Sequence, residues 1–273
     1  MPNMPTQWSP TDTQPPLEPG WIHVWLVRNT PPVIEEEEAL QRLASDERER
    51  AERFTHDGAR RQFITARACL RLLLDGYLDR RDDPIPFAIG SHGKPYIPSA
   101  GAYGELRFNV AHSGPWAVIA VTAGREVGVD IEHPRRKANF AGLAKRFFQP
   151  RETEPLLALD EGAEQAAAFY RLWTRKEAFV KGLGSGVPSG LRGLEVDGAP
   201  GCADALVGYE RDPGAETRWR VAALPELPEP PADIADALGL TGAVGQGAVA
   251  AEGRDWRVAC YQWPIECAFL HLP

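Results

Sequence analysis

Two carboxylates alternate with apolar side chains in residues 128–133, which read Gly-Val-Asp-Ile-Glu-His. Successive side chains of an extended chain point to opposite sides, so Asp130 and Glu132 share one face. Val129 and Ile131 then point the other way, into a core. The stretch therefore predicts a strand with a paired-acid face. A solvated edge strand and a metal site both fit this pattern when it is taken alone.

The composition is typical of an ordinary soluble globular protein. The chain has 273 residues, of which 43% are hydrophobic and 25% charged, and this length predicts one or two domains. The formal net charge of -8 argues against a general nucleic-acid or membrane-surface binder, because both need a basic balance. No apolar run reaches the roughly 18 residues that span a bilayer, and no export signal is visible. We therefore expect a cytoplasmic protein without nucleic-acid or membrane partners.

Four cysteines stand at positions 69, 202, 260 and 267, without a Cys-x-x-Cys pair. Free thiols are the simplest interpretation, which agrees with a reducing compartment. A contact between Cys260 and Cys267 across a hairpin is the alternative.

Secondary-structure signals divide the chain into two similar series. Prolines at 2, 5, 10, 15, 16 and 19 predict a disordered tail over residues 1–20. The first series has a strand at 21–27, a helix at 59–77 and strand-like runs at 86–97, 106–111 and 116–121. The second has a strand at 127–132, helices at 140–148 and 164–181, and strands at 194–196, 219–224, 256–263 and 267–270. A Pro-, Ala- and Gly-rich loop is predicted for residues 225–253, with at most a short helix near 234–238.

The repeated order of elements predicts an α+β fold of two pseudo-symmetric halves. Each half is expected to be a small, mainly antiparallel sheet packed on a long helix. Residues 21–124 form the first half and residues 125–273 the second, and two halves in one chain favour a monomer. The strands between 118 and 131 are then buried at the junction, which is where we place the active site.

The helix predicted for residues 164–181 carries an acid and a base one turn apart, Glu177 and Lys181. If this stripe meets Asp130 and Glu132 across the junction, three carboxylates within about 4 Å repel one another by several kcal/mol per pair. Either protons or a cation must then be present. An all-oxygen site selects Mg²⁺ or Mn²⁺ over zinc. As an alternative, the Glu177/Lys181 pair only stabilises the surface of a helix.

Cationic side chains near these acids indicate phosphate as the ligand. His112, Lys176 and Lys181 are expected on that side of the junction. Four arginines of the first long helix lack acidic neighbours in sequence, so an anion site is predicted for one or two of them: Arg60, Arg61, Arg67 and Arg71. The alternatives are a His112 that bonds only backbone and a Lys94 that is a plain turn residue.

Three segments resemble the three signature motifs of the 4'-phosphopantetheinyl transferases, in the same order. They are residues 108–114 (Phe-Asn-Val-Ala-His-Ser-Gly), 128–132 (Gly-Val-Asp-Ile-Glu) and 173–182 (Trp-Thr-Arg-Lys-Glu-Ala-Phe-Val-Lys-Gly). Residues 93–95 (Gly-Lys-Pro) and the arginine-rich stretch 54–71 fit the same family. The chain resembles the Sfp-like group, whose single chains fold as two pseudo-symmetric halves, rather than the short trimeric holo-acyl-carrier-protein synthases. The resemblance runs from about residue 21 to residue 190.

The resemblance implies an enzyme that moves the phosphopantetheine arm of coenzyme A onto a serine hydroxyl of an apo acyl or peptidyl carrier protein, releasing adenosine 3',5'-bisphosphate. It implies that Asp130, Glu132 and Glu177 hold Mg²⁺ on the coenzyme A pyrophosphate. Glu177 would take the serine proton, directly or through a water, and Lys181 would offset charge on the leaving phosphate. The carriers of fatty acid, polyketide, nonribosomal peptide and lysine biosynthesis all remain open as substrates.

The first half is expected to supply most contacts with the phosphates of coenzyme A. The resemblance implies the following contacts with its 3'-phosphate and pyrophosphate: Arg48, Arg53, Arg61, Lys94, Pro95, His112, Ser113, Lys176 and Lys181. Arg61 ranks first among the arginines. One departure from the family pattern is Ala111, where a small hydroxyl residue often precedes the histidine. It removes a hydrogen bond to the ligand and leaves the metal site intact.

Two other functions are alternatives. A Mg²⁺-dependent nuclease also uses Asp-x-Glu on a strand, but its lysine should follow the second acid by two residues, where this chain has Pro134. The acidic net charge counts against a nuclease too. A non-catalytic regulator that binds coenzyme A or a nucleotide has no need of Glu177 and Lys181, so their presence favours the enzyme.

Overall fold

A computed structural model describes residues 4–79, 85–98, 105–135, 139–186, 190–241 and 243–263. The strands within these ranges are β1 (Ser9–Pro10), β2 (Trp21–Arg28), β3 (Ala88–Ile89), β4 (Pro95–Tyr96), β5 (Leu106–Ser113), β6 (Trp116–Ala123), β7 (Val127–Glu132), β8 (Leu194–Val196), β9 (Leu206–Tyr209), β10 (Trp219–Ala223), β11 (Gln246–Glu252) and β12 (Arg257–Gln262). The helices are α1 (Glu36–Arg42), α2 (Ser45–Glu52), α3 (Asp57–Leu78), α4 (Phe140–Phe147), α5 (Pro150–Leu157), α6 (Ala163–Leu183), α7 (Ala215–Arg218) and α8 (Ala232–Ala237). Within the described ranges, no helix is both long and apolar enough to cross a membrane. The predicted strand at 267–270 and Cys267 lie outside them.

Two three-stranded antiparallel arrangements repeat the same topology. In the first half β2 pairs with β6 and β6 with β5, and in the second half β7 pairs with β11 and β11 with β10. Each half runs strand, helices, strand, strand, and its long helix, α3 or α6, packs on one face of its sheet. The predicted α+β fold of two pseudo-symmetric halves is therefore confirmed.

The two sheets face each other across a shared core. Val129 and Ile131 of β7 lie in this core with Val24 of β2 and Val118 of β6, all at most 1% exposed. Complete burial of such a side chain stabilises the fold by about 1.5–3 kcal/mol. This apolar face fixes β7 so that its acidic face turns toward α6, as the alternating sequence predicts.

The last described strand crosses from the second half to the first. β12 pairs in parallel with β2 and lies between β2 and the two-residue edge strand β1 in the first sheet. The assignment of all residues 125–273 to the second half therefore needs correction. The crossing ties the two halves together by backbone hydrogen bonds, in addition to the apolar core between the sheets.

The N-terminal residues from 4 onward lie against the folded domains, so the prediction of a disordered tail is wrong for residues 4–20. β1 pairs in parallel with β12, and its proline is tolerated because β1 is an edge strand. Trp8 is buried and its indole N–H donates to the carbonyl of Glu226 at 2.9 Å. Gln14 donates to the carbonyl of Leu73 on α3 at 2.9 Å.

The region predicted as one long loop, residues 225–253, contains the central strand of the second sheet. Residues 246–252 form β11 between β7 and β10. This strand is rich in Gly and Ala because it is covered on both faces, and a Cβ at Gly247 would lie 3.0 Å from a methyl carbon of Ile131. The short helix expected near 234–238 is present as α8.

Candidate active site at the junction of the two halves

The edge strands β5 and β7 meet at the junction, and side chains of β5 bond to β7. Asn109 Oδ1 accepts from the backbone N–H of Val129 at 2.9 Å. Ser113 Oγ donates to Glu132 Oε2 at 2.6 Å and accepts from the backbone N–H of His133 at 3.0 Å. Side-chain oxygens of the first half thus accept hydrogen bonds from backbone N–H groups of the second half. The Ser113 hydroxyl also orients the carboxylate of Glu132.

At Gly128 the backbones of α6 and β7 lie so close together that no side chain fits between them. A Cβ at Gly128 would lie 2.0 Å from the carbonyl oxygen of Ala178 and 2.2 Å from the nitrogen of Gly182. Only glycine fits at such a distance from another backbone. This approach places the acidic face of β7 directly beside Glu177 and Lys181 of α6.

The carboxylate of Asp130 forms an ion pair with Lys181 inside the junction. Lys181 Nζ lies 2.5 Å from Asp130 Oδ1, and Asp130 is only 4% exposed. The second oxygen, Asp130 Oδ2, is buried and has no hydrogen-bond partner among the described residues. A buried carboxylate oxygen without a donor is costly, so this atom is a natural site for a ligand or an ion.

Burial and mutual repulsion disfavour the ionised forms of the three acids. Burial raises the pKa of Asp130 above its ordinary value. Burial and the charge of Asp130 raise the pKa of Glu132 to about 7 and that of Glu177 to about 8. Burial lowers the pKa of Lys181, but Asp130, Glu177 and Glu132 together raise it above its usual range. The three acids therefore need more positive charge nearby than Lys181 alone supplies if all of them are to be ionised.

The three acids offer only oxygen donors. Among the described residues, no three carboxylate, imidazole or thiol groups already converge closely enough to hold a metal ion. Asp130 Oδ1 and Glu132 Oε2 point instead to their protein donors, Lys181 and Ser113. The donor set and the unpartnered Asp130 Oδ2 nevertheless fit a hard divalent cation such as Mg²⁺.

A cavity of about 270 Å³ opens beside Glu132 at the end of the site. It is lined by Gln62, His112, Ser113, Gly114, Glu132, Arg135, Leu238 and Leu240. His112 is the second-last residue of β5. Partial burial and the nearby charge of Lys181 lower the pKa of His112. His112 and Glu132 line the same cavity.

Two predicted contacts with coenzyme A are engaged elsewhere. Lys176 is fully buried, where its ammonium lies 2.7 Å from Glu152 and donates to the carbonyl of Leu194. Its prediction as a ligand contact is wrong, because it lies next to Glu177 in sequence but points to another side of α6. Lys94 donates to Glu126 at 2.8 Å and to two backbone carbonyls. Its three N–H groups bridge the halves instead of facing open space.

The predicted arginines also divide into paired and exposed groups. Arg60 bonds Glu36, and Glu47 accepts from Arg71 at 2.6 Å and lies 3.3 Å from Arg67. The acids come from distant parts of the chain, so the anion site inferred from the absence of acidic neighbours in sequence is wrong for these three arginines.

Three arginines have exposed side chains, and Pro95 lies in the short strand β4. These arginines are Arg48, Arg53 and Arg61. Arg53 lies 3.7 Å from Glu49, whereas Arg61 precedes Gln62, a residue of the cavity wall. The contact of Arg61 with coenzyme A therefore stays a prediction.

Asn109, Gln62 and Arg135 were not predicted as site residues. Asn109 carries a detectable signal, because it is a polar residue between two apolar neighbours in a strand and is only 7% exposed. Gln62 of α3 donates to the carbonyl of Gly114, in the turn after β5, at 3.1 Å. That contact joins residues far apart in the chain, so no local pattern reveals it.

Comparisons with known proteins agree with this geometry. Residues 30–124 match the N-terminal part of 4'-phosphopantetheinyl transferases, and residues 126–229 match the 4'-phosphopantetheinyl transferase superfamily. The division between these two matches falls between β6 and β7, at the boundary of the halves.

Individual relatives carry the same name. The 4'-phosphopantetheinyl transferase HetI of Nostoc is 37% identical over 69% of this chain and 79% of its own length. The 4'-phosphopantetheinyl transferase Sfp of Bacillus subtilis is 30% identical over 71% of this chain and 88% of its own length. The human L-aminoadipate-semialdehyde dehydrogenase-phosphopantetheinyl transferase is 30% identical over 59% of this chain and 55% of its own length. With both halves matched and the acids assembled between them, the chain belongs to the 4'-phosphopantetheinyl transferase superfamily.

Proposed function

We propose that this chain transfers the 4'-phosphopantetheine arm of coenzyme A to a serine hydroxyl of an apo acyl or peptidyl carrier protein, with Mg²⁺ bound at the junction. The main support is the position of Asp130 and Glu132 beside Glu177 and Lys181. An acid, a cation and a carboxylate pair in one buried cleft provide the groups that phosphoryl transfer needs.

Asp130, Glu132 and Glu177 would hold the cation. All three are buried or half-buried, all have a pKa raised first by burial, and Asp130 Oδ2 has no hydrogen-bond partner among the described residues. Bound there, Mg²⁺ would supply positive charge that polarises the phosphorus under attack and offsets the charge on the pyrophosphate. Mn²⁺ prefers the same oxygen donors.

The transfer forms one bond and breaks one. The serine oxygen bonds to the phosphorus that carries the pantetheine arm, and the bond between this phosphorus and the bridging oxygen of the pyrophosphate breaks. Glu177 accepts the serine proton as general base. Lys181, one helical turn further along α6, stabilises the negative charge on the bridging oxygen, which leaves with adenosine 3',5'-bisphosphate.

The first half supplies groups for the phosphates of coenzyme A. His112 faces the cavity next to Glu132, and Arg61 lies on α3 beside Gln62 of the cavity wall. Ser113 acts on the second half instead, because its hydroxyl holds Glu132 Oε2. A cationic and imidazole-lined entrance favours the capture of an anionic substrate.

The test is the conversion of an apo carrier protein to its holo form by the purified chain with Mg²⁺ and coenzyme A. We expect the carrier to gain the mass of one phosphopantetheine group. A carrier whose acceptor serine is replaced by alanine should gain none, and a chelator should stop the reaction. Carriers of fatty acid, polyketide, nonribosomal peptide and lysine biosynthesis should be assayed side by side. If none gains mass while coenzyme A still binds, the chain is a coenzyme A-binding regulator.

A further inference from the structure

The segment 230–241 lies beyond the residues that match the superfamily, yet it returns to the candidate active site. It contains α8 and then Leu238 and Leu240, which both line the 270 Å³ cavity. Between these leucines Gly239 has a φ of +64°, a left-handed conformation that turns the chain back. The second half thus supplies a wall of the cavity from a part of the chain outside the family match.

Backbone contacts hold this segment against the strand that carries the acids. Thr241 donates its backbone N–H to the carbonyl of Pro134 at 2.9 Å, and Leu240 forms a bridge with Arg135. At its base, Leu227 donates to the carbonyl of Gly245 at 3.0 Å. The segment is therefore anchored on both sides of α8, and its leucines are held in place beside the site.

The two leucines have different roles in the wall. Leu240 is 2% exposed and packs at Gly114, where a Cβ would lie 3.3 Å from its Cδ1. Leu238 is 37% exposed, although the side chain is large and apolar. His112 and Glu132 line the same cavity. Its lining is thus partly apolar and partly polar, and includes His112, a residue proposed to bind phosphate.

We propose that Leu238 and Leu240 form the subsite for the pantetheine arm of coenzyme A, an inference that rests on the proposed function. The arm starts at the phosphate with a branched dimethyl carbon, which suits an apolar wall next to a phosphate site. A cavity of about 270 Å³ admits such a chain but no helix of a carrier protein, whose diameter is about 10 Å. Of these two, the arm is the occupant that fits.

Binding experiments with two nucleotides test the subsite without requiring catalysis. The affinity of the chain for coenzyme A and for adenosine 3',5'-bisphosphate, which lacks the arm, is measured by calorimetry with Mg²⁺. Leu238→Ser should weaken coenzyme A binding about tenfold, the usual effect of small apolar changes in a pocket, and leave bisphosphate binding unchanged. Leu238→Met should restore most of the affinity. Val207→Ser, at an exposed apolar residue of β9 away from the site, serves as the matched control and should change neither affinity.

Four results overturn the proposal. Equal weakening for both nucleotides places Leu238 on the nucleotide end, and unchanged affinity for both removes it from the site. A raised KM for the carrier with unchanged coenzyme A affinity assigns Leu238 to the carrier instead. If the unsubstituted chain binds no coenzyme A, the subsite and the proposed function both fail. Selective loss of coenzyme A affinity in a chain that modifies no carrier leaves the subsite intact and refutes only the transfer.

Discussion

In each half a short helix brings a buried glutamate to the long helix that follows it. Glu47 of α2 accepts from the backbone N–H of Ala44 and from Arg71 of α3. In the second half Glu152 of α5 accepts from the backbone N–H of Gln149 at 2.7 Å and from Lys176 of α6 at 2.7 Å. The cation follows the glutamate by the same 24 residues in both halves. The two halves therefore share one buried ion pair as part of their scaffold.

The halves differ at the next positions of the long helix. Lys176 is followed by Glu177, with Lys181 one turn later, whereas Arg71 is followed by Leu72, with Gly76 one turn later. The same scaffold thus carries the two proposed catalytic residues in the second half and a leucine and a glycine in the first. The comparison also separates Lys176, a structural residue, from its neighbour Glu177.

The largest effect is expected from removal of Glu177, the acid whose counterpart in the first half is Leu72. Glu177→Gln should lower the rate of carrier modification by about 10²–10⁴-fold, the usual contribution of a general base, and more if the metal is also lost. The measurement is the initial rate of mass gain on the carrier at saturating coenzyme A. Leu72→Gln, the corresponding change in the first half, is the control and should keep the rate within about twofold. A rate in Glu177→Gln equal to that of the control would remove Glu177 from the mechanism.

Each half has its own copy of the buried ion pair, and breaking either copy should lower the free energy of unfolding. Lys176→Met leaves Glu152 buried without its partner, so the free energy of unfolding should fall by about 4 kcal/mol. Arg71→Met should cost less, because Glu47 keeps Arg67 at 3.3 Å. Urea unfolding of both variants measures the loss. Replacing Glu152 as well as Lys176 by methionine should recover part of it, and a double variant less stable than Lys176→Met would contradict this account.

A third change tests the close approach of α6, which has no counterpart in the first half. The Cβ of Gly128→Ala would meet α6 backbone at 2.0 Å, so the helix must move and the free energy of unfolding should fall by about 3 kcal/mol. Gly58→Ala near the start of α3 is the matched control. Nothing lies within 4 Å of its Cβ, so we expect a gain of up to about 1 kcal/mol. Equal stability of the two variants in urea would show that the approach is not tight.

The parts of the site that the sequence predicts are those with a local period. Asp130 and Glu132 follow the two-residue repeat of a strand, and Glu177 and Lys181 the four-residue repeat of a helix. Lys176 was misassigned because its partner Glu152 is distant in the chain and gives no local signal. The motif at residues 173–182 contains both Lys176 and Glu177. Adjacent residues of a helix point in different directions, and the motif does not show which of them faces the site.

The missed elements depend on contacts between distant segments. β11 is buried on both faces by residues far away in sequence, so it lacks the alternation that marks a half-buried strand. β1 is held by β12 at the opposite end of the chain, and its prolines suggest disorder when they are considered alone. In both cases tertiary contacts overrule the local composition.

The smallest expected effect concerns a histidine of the first half. His23 of β2 is 3% exposed and bonds Tyr77 of α3 at 2.7 Å, and burial lowers its pKa to about 4. The unfolded chain, with an ordinary histidine pKa of about 6.5, therefore binds a proton more readily than the folded chain. Stability from this group is complete above pH 6.5 and is lost as the pH falls toward 4. The loss between pH 7 and pH 5 should be about 2 kcal/mol.

Urea unfolding of the native chain and of His23→Phe at several pH values measures this term. The native chain should lose about 2 kcal/mol more stability than the variant between pH 7 and pH 5, because phenylalanine does not titrate. At the corresponding place on β7 the second half has Gly128, which carries no titratable group. The same pH dependence in both proteins would show that folding does not lower the pKa of His23, so that the folded chain also protonates this residue as the pH falls to 5. The first half would then hold a buried charge of its own, and the contrast between a packing half and a chemical half would fail.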